Sequence, residues 1–511
     1  MFKDCQLLLN ESSNIESLNF TFVQMPSSIK RYIPIIAGPL FAVLLWAFFD
    51  LQPGSPKVTY MAGVALWMAI WWFTEAVELA VTALLPMILL PVFGLGEAKV
   101  VAQQYTDSII FLFLGGFMLA FAIEKWDLHK RIAIKILSVV GTKPTSILFG
   151  VMISAYLISN WISNTATCMM LFSAVLALIL ETEKYINTES HRNKFAAALL
   201  LGLAFAATIG GLATPVGTPP NMYFFKAYKE AFPDNNDLNF LKWSFIGFPL
   251  SFTMLLLTFF VLSKYYFDKH IKINLSKNFF KENYTSLGKT GYEERWVFTI
   301  FVCCALLWFT RADVDFGTFK YKGWVNLFQV PKFIDDSLVA VTAALLLFLI
   351  PSKKNKGEAL LTWDDAKKIR YDIILMFGSG FALAYGFEVS GLSQWLAGSL
   401  AVLKGVHPFF VILGICGIVT LISEFASNIA SIQLAIPVMI ALQKNLDLPP
   451  LVLMIPATFA ASLGFMLPVA TAANTIVFGT KRIEIKDMFR VGIVLDILGI
   501  LLISVFCYLF L

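Results

Sequence analysis

Along almost the whole chain, apolar runs alternate with short polar turns. Runs at 33–50, 59–75, 78–94, 109–124, 195–225, 241–263, 296–311, 334–350, 371–388, 451–479 and 488–511 suit helices that cross hydrocarbon, a crossing needing roughly 20 residues. Two further pairs of runs are shorter and meet at polar residues. Ser159-Asn160-Trp161-Ile162-Ser163-Asn164-Thr165 lies between 145–158 and 166–180, and Ser423-Glu424-Phe425-Ala426-Ser427-Asn428-Ile429 repeats the pattern 264 residues later. Polar groups at membrane depth persist only when buried in protein or lining a cavity. The spacing therefore predicts two re-entrant hairpins, 145–182 and 406–443, each with a polar tip. Within 195–225, the stretch from Gly210 to Asn221 holds Pro215, Pro219 and Pro220 with three glycines. A helix cannot continue through it, so a broken helix is expected there and another in 451–479. The expected fold is an all-α polytopic membrane protein with about 11 transmembrane helices, two re-entrant hairpins and two broken helices.

The chain repeats itself. Ten of 25 positions are identical between 109–133 and 373–397, among them Phe113/Phe377, Gly116/Gly380 and Glu124/Glu388. The same offset of 264 carries Ser159, Ser163 and Asn164 onto Ser423, Ser427 and Asn428. An offset of 253 carries Gly211, Pro215, Thr218 and Asn221 onto Gly464, Pro468, Thr471 and Asn474. Leu, Phe and Ala matches are common between apolar helices, but the polar, Gly and Pro matches keep one order.

Threading the runs across a bilayer with the N-terminus inside puts the Lys/Arg-rich segments 29–31, 125–135, 181–194, 264–295, 351–370 and 481–486 on one side. That satisfies the positive-inside rule. It also runs 109–124 inward and 371–388 outward, so the repeats are inverted, as in many secondary transporters with a midplane site at the repeat interface. The expected divisions are a cytoplasmic N-terminal segment 1–32, the first span plus first repeat 33–263, a cytoplasmic loop 264–295 and the second repeat 296–511.

Composition agrees. The chain of 511 residues is 58% hydrophobic and 14% charged, with mean hydropathy +0.74, against roughly 25% charged in soluble domains. A net charge of +5 implies no nucleic acid, because the basic residues gather in loops. Six cysteines at no metal-ligand spacing read as small hydrophobes. The first 30 residues lack a signal-peptide core, and Asp4, Glu11 and Glu16 oppose a transit peptide; 33–50 is expected to be an uncleaved anchor. Sequons at Asn10 and Asn19 have no meaning if the N-terminus is cytoplasmic.

A broken helix exposes N–H groups at the start of one half and carbonyls at the end of the other. Free amides with Asn and Thr suit an oxyanion, and free carbonyls with Ser and Asn oxygens suit a hard cation such as Na⁺. Two tips and two breaks would supply two cation sites flanking one anion. The competing reading, hydroxyls and amides that merely bond across packed helices, serves any single residue equally well but not the paired constellation. Glu124 and Glu388 read as interfacial carboxylates. Glu424, inside the second tip where the first has Asn160, is either functional or structural support. His129, His191, His270 and His407 fall in loops or interfacial segments. No Walker sequence, HExxH or nucleophile elbow occurs, so ATP-driven and common hydrolase chemistry are not expected.

In Ser163-Asn164-Thr165 and Gly217-Thr218-Pro219-Pro220-Asn221 the chain resembles the divalent anion/sodium symporters, the dicarboxylate and citrate carriers, from about residue 33 onward. The resemblance implies a homodimer, elevator-type movement and two or more co-transported Na⁺. By position, one sodium site would take Ser159, Ser163, Asn164 and Gly217, and the other Ser423, Ala426, Asn428 and Ala470. The dicarboxylate would lie among Asn164, Thr165, Thr218, Pro219, Asn428, Ile429 and Thr471. Two departures stand out: Ile429 replaces the Thr of the second signature, and Ala472-Ala473 replace the Pro-Pro of the second break. The implied function is sodium-coupled import of C4-dicarboxylates such as succinate, fumarate or malate across the plasma membrane, with no enzymatic activity. Citrate, sulfate or sodium-independent exchange on the same fold are the alternatives, and a passive anion channel is the alternative from another class.

Overall fold

The computed structural model describes residues 27–186, 188–233, 238–267, 279–315, 320–399, 403–446 and 448–511. Most of the expected 1–32 segment, Cys5, both sequons, and 268–278 of the polar loop lie outside the described residues. Those described are almost entirely helical. The exceptions are a short antiparallel pair, Val314–Asp315 with Lys320–Tyr321, and a single bridge between Pro351 and Ala359.

The first half runs α1 (Ser27–Phe48), α2 (Pro56–Thr74), α3 (Leu79–Thr82), α4 (Leu85–Val92), α5 (Ala98–Gln103), α6 (Ser108–Lys125) and α7 (Leu128–Val140). It continues with α8 (Pro144–Ser159) and α9 (Asn164–Glu183), α10 (Glu189–Gly210) and α11 (Pro219–Ala231), then α12 (Phe240–Tyr266). The second half runs α13 (Phe279–Ser286), α14 (Tyr292–Thr310), α15 (Asp336–Leu349), α16 (Trp363–Ala366), α17 (Tyr371–Ser390) and α18 (Leu392–Ser399). The pair α19 (Pro408–Phe425) and α20 (Asn428–Leu446) follows, then α21 (Pro450–Ala460), α22 (Ala472–Phe478) and α23 (Ile485–Phe510). Pairs α8–α9 and α19–α20 are the expected hairpins, turning at Asn160–Ser163 and at Ala426–Ser427. Pairs α10–α11 and α21–α22 are the expected broken helices.

Local chemistry sets these boundaries. Prolines open α2, α8, α11, α19 and α21, where the missing N–H costs nothing. Asp107 caps α6 by accepting from Ile109 N at 2.9 Å, and Asn239 caps α12 by accepting from Lys242 N at 2.9 Å, each cap worth about 1 kcal/mol. The run 78–94, expected as one span, is instead two helices divided at Ala83-Leu84. Pro86, in the first turn of α4, cannot donate the hydrogen bond that would join them.

Seven helical stretches among the described residues are long and apolar enough to cross a bilayer, while six apolar helices, including α8, α20 and α21, are shorter. The shorter ones include hairpin arms and the first half of a broken helix, which need not cross alone. The broken helices occupy the centre. Every residue from Phe195 to Gly210 is buried, as is every residue from Val452 to Ala460. Phe205 and Phe465, from the two breaks' surroundings, meet edge to face at 5.1 Å. The repeats also meet through matched residues: the rings of Phe113 and Phe377 lie 4.3 Å apart.

Candidate functional site

Each hairpin tip is fastened to the break of its own half. Ser159 ends α8, fully buried, with its Oγ 2.5 Å from the Ala207 carbonyl and 3.0 Å from Asn164 Oδ1. A serine has one proton to give, so these two acceptors and the Ile162 carbonyl, at 3.4 Å, compete for it. The Asn164 oxygen also presses against Gly211, where a Cβ would sit 2.4 Å from it. A Cβ on Gly217 would sit 2.6 Å from the Gly211 carbonyl and 3.0 Å from the Ser159 carbonyl. Ser159, Asn164 and Gly217 thus converge on one small volume in which oxygens outnumber donors. Such an oxygen-rich volume suits a hard cation.

The second half repeats this arrangement. Ser423 Oγ lies 2.6 Å from the Ala461 carbonyl and 3.1 Å from Asn428 Oδ1. Ala470 packs beside Gly464, 3.2 Å from where a Cβ would be, and the Ser423 carbonyl lies 3.7 Å from the same point. Ser163 and Ser427 cap the returning arms, accepting from Ala166 N at 3.4 Å and Ala430 N at 3.2 Å. Ser163 is thus occupied as a helix cap, while Ala426, buried, offers its backbone.

The breaks are shaped by matched asparagines. Asn221 Nδ2 donates to the carbonyls of Gly211 at 2.9 Å and Thr214 at 2.8 Å; Asn474 Nδ2 donates to those of Gly464 at 2.9 Å and Leu467 at 3.1 Å. Both asparagines are fully buried and keep an unpartnered Oδ1. Thr218 and Thr471 begin the second half of each break, and the Thr471 hydroxyl accepts from Asn474 N at 3.1 Å. Pro219 and Pro220 carry no N–H, so α11 begins without the two donors that Ala472-Ala473 provide in α22. Asn164, Thr165, Pro219, Asn428 and Thr471 are only half-buried, whereas Thr218 is fully buried. Ile429 is half-buried too, but packs against the core. The first hairpin meets the second break through Cys168, whose thiol reaches the Ala473 carbonyl at 3.6 Å.

The structure also involves residues that the sequence reading did not assign to the site. Thr214 donates to the Asn160 carbonyl, and the Asn160 amide reaches the carbonyls of Tyr156 at 2.8 Å and Gly210 at 2.9 Å. In the second half Glu424 takes this role, accepting from Met466 N at 2.9 Å and Leu467 N at 3.0 Å. Asn221 and Asn474 were legible as repeat matches, but nothing in the pattern shows that they tie a break together. His129, expected in a loop or interfacial segment, lies on the amphipathic helix α7 with its ring buried, facing the Ile123 carbonyl at 3.3 Å.

Comparison with known proteins follows from this geometry. Residues 36–510 match the family model described as the sodium:sulfate symporter transmembrane region. The chain is 38% identical over 487 residues to the sodium-dependent dicarboxylate transporter SdcS of Staphylococcus saprophyticus, covering 94% of this chain and 91% of that protein. It is 36% identical over 488 residues to the SdcS of Staphylococcus aureus, covering 94% and 92%. Among solved structures, Neisseria gonorrhoeae MtrF superposes with a TM-score of 0.52 at 13% identity, covering 96% of each chain. The Alcanivorax borkumensis YdaH transporter superposes with a TM-score of 0.50 at 14% identity, covering 80% of this chain and 86% of that one. At such identities these two likenesses concern the fold alone.

Proposed function

The chain belongs to the sodium:sulfate symporter family, and on that premise we propose that it imports C4-dicarboxylates such as succinate, fumarate or malate together with sodium. The observation that carries this reading is the matched pair of oxygen clusters, Ser159/Asn164 and Ser423/Asn428, each wedged between a hairpin tip and a break. Each cluster has more acceptors than protons, and a Na⁺ ion resolves that imbalance. Two ions held this way leave the half-buried Asn164, Thr165, Pro219, Asn428 and Thr471 beside the tips and breaks to receive the anion, with Thr218 buried behind them. There a dianion meets amide and hydroxyl donors and, through the ions, two positive charges.

Coupling follows from electrostatics. A dianion accompanied by two or more Na⁺ crosses with no net negative charge, so the membrane potential does not oppose entry and the inward sodium gradient drives it. Assembly of the anion site by bound sodium makes transport without sodium slow. The same reading has eleven crossings, a cytoplasmic N-terminus in the plasma membrane, a homodimer, and elevator-type movement of the hairpins and breaks as one body. Because substrate and ions bind and leave unchanged, this reading requires no nucleophile.

Radiolabelled succinate uptake into proteoliposomes tests the reading, with inward Na⁺ or choline and with unlabelled citrate, sulfate and glutarate as competitors. Uptake that needs Na⁺ and is blocked by C4 acids supports it. Sodium-independent exchange removes the cation sites. Failure to carry succinate in either condition, with uptake of sulfate instead, transfers the substrate assignment to another anion.

A further inference from the structure

Helix α7 follows α6 and packs against α13. Where these two meet the first turns of α14, a cavity of about 300 Å³ opens to the surface. Arg131 and Lys135 of α7 and Arg295 of α14 lie around it, and its wall is otherwise mostly apolar or aromatic, with Ile132, Tyr284 and Phe298 among the lining residues. No carboxylate of the described residues lines it.

The three cations differ in what holds them. Arg131 is locked in place, donating to the carbonyls of Gly288 at 3.0 Å and Leu287 at 3.3 Å and to the Glu294 carboxylate at 3.2 Å. It thereby fixes the turn after α13 against α7 and shapes the recess. Lys135 rests its ammonium 4.9 Å from the centre of the Tyr284 ring, and Arg295 donates only its Nε–H, to the Gly291 carbonyl at 3.2 Å. Both side chains are exposed, and neither makes an ion pair among the described residues. The nearby acids are already engaged. Glu294 is held by Arg131, Asp127 pairs with Lys130 at 2.7 Å, and the buried Glu293 accepts from Ser352 Oγ at 3.0 Å and from the N–H groups of Lys353 and Lys354 at 2.8 Å each.

Two uncompensated cations at one recess attract an anion, and Arg and Lys together suit phosphate oxygens, through charge-assisted hydrogen bonds. The apolar wall decides which phosphate. Phe298 is 49% exposed and Leu306, two turns further along α14, is 57% exposed. With Val302 between them at helical spacing, they extend the cavity wall as a strip along a membrane-crossing helix. A soluble anion would leave that strip unused, whereas acyl chains cover it.

The other half has no such bases. The offset of 264 carries α7 onto α18, and Arg131 and Lys135 onto Trp395 and Ser399. The threading that satisfies the positive-inside rule puts α7 on the cytoplasmic face and α18 on the outer one, and the cytoplasmic leaflet is the anionic one. The bases thus go with the face and not with the repeat.

We propose that this cavity binds an anionic phospholipid, with the phosphate held by Lys135 and Arg295 and the acyl chains lying along Phe298, Val302 and Leu306. The competing reading is that both bases merely extend to the headgroup level without a site.

The purified full-length protein in detergent is titrated with phosphatidylglycerol or phosphatidylcholine, and with inorganic phosphate as a separate arm. Native mass spectrometry reads lipid retention, and thermal unfolding reads stabilisation. Phosphatidylglycerol is expected to be retained and to raise Tm, and the other two are not. Lys135→Gln/Arg295→Gln is expected to weaken phosphatidylglycerol binding roughly tenfold or more, as the loss of two bases beside an anionic headgroup requires. Lys354→Gln/Lys356→Gln removes the same charge from the loop 351–370 and is expected to change nothing. Should the first double variant not fold, Lys135→Gln and Arg295→Gln are measured singly, and an unchanged lipid preference in both overturns the proposal. Equal retention of the two lipids by the native protein, or equal weakening in the two double variants, also overturns it. Stabilisation by inorganic phosphate equal to that by phosphatidylglycerol overturns the lipid assignment and leaves a site for a soluble anion. Transport enters none of these measurements, so their outcome is independent of the function proposed above.

Discussion

Adding one methyl group at Gly211 tests the first of the two proposed sodium cradles. The new Cβ would lie 2.4 Å from Asn164 Oδ1, 3.2 Å from Asn164 Cγ and 3.0 Å from Thr218 Cβ. Carbon–oxygen contacts are tolerable only from about 3.3 Å, so the Asn164 oxygen must retreat by about 1 Å. That retreat takes it from 3.0 Å to about 4 Å from Ser159 Oγ, beyond hydrogen-bond range. A ligand oxygen displaced this far leaves the coordination shell of a hard cation. The loss resembles that of a hydrogen bond to a charged group, about 1.5–3 kcal/mol, or roughly a ten- to hundred-fold weaker sodium affinity. The matched substitution Gly464→Ala is the internal control. Its Cβ meets Ala470 Cβ at 3.2 Å, Thr471 Cγ2 at 3.5 Å and the Ser423 carbonyl at 3.7 Å, contacts that small shifts absorb. Sodium activation of succinate uptake, together with sodium-dependent thermal stabilisation of each purified variant, reads the difference. The reasoning fails if Gly211→Ala leaves sodium activation unchanged, or if Gly464→Ala weakens it as much.

Three further outcomes follow from the same geometry. Asn428→Ala removes the amide oxygen 3.1 Å from Ser423 Oγ and, on the proposed function, a substrate contact with it, so sodium-driven uptake should be abolished while detergent-purified protein stays folded. Ile429→Thr restores a hydroxyl at the second tip. The gain of one charge-assisted hydrogen bond, about 1.5–3 kcal/mol, should lower KM for succinate roughly tenfold or more, set against about 1 kcal/mol of lost stability from the trimmed side chain. At the basic loop, burial alone would raise the Asp365 carboxyl, but Lys125 at 2.7 Å and the N–H and hydroxyl of Thr362 at 3.0 and 2.8 Å outweigh it and hold it below the usual range. A folded-state pKa below the unfolded value gives stability that is present above about pH 4 and lost as pH falls through the folded pKa. Asp365→Asn should therefore lower Tm at neutral pH, by an amount worth roughly 1 kcal/mol, with the gap closing in acid.

The helices and the polar tips were legible because a membrane permits few alternatives. Ser159, Asn164, Ser423 and Asn428 stand out once charge-free surroundings make every polar residue conspicuous. Gly, Pro and Asn at fixed offsets then mark where each helix must break. The division of 78–94 at Ala83-Leu84 was not legible, because hydropathy registers apolar length and not the hydrogen bond that Pro86 cannot make. Nor was the engagement of Ser163 as a cap: its hydroxyl has a local N–H to accept from, and spacing does not distinguish a capping serine from a coordinating one.

The corners occupied by Ser251 and Asp496 show where sequence comparison of the halves loses its grip. The offset between halves is 264 at the tips, 253 at the breaks and 245 at the helix that follows, so the connectors shorten and no single shift aligns all three. Residues at the last offset are also chemically unlike, Ser251 against Asp496, so identity carries no signal there. What the two positions share is a distance: each lies one turn beyond a glycine pressed onto a break. That constraint is set by backbone contact and leaves the neighbouring side chain free to change charge.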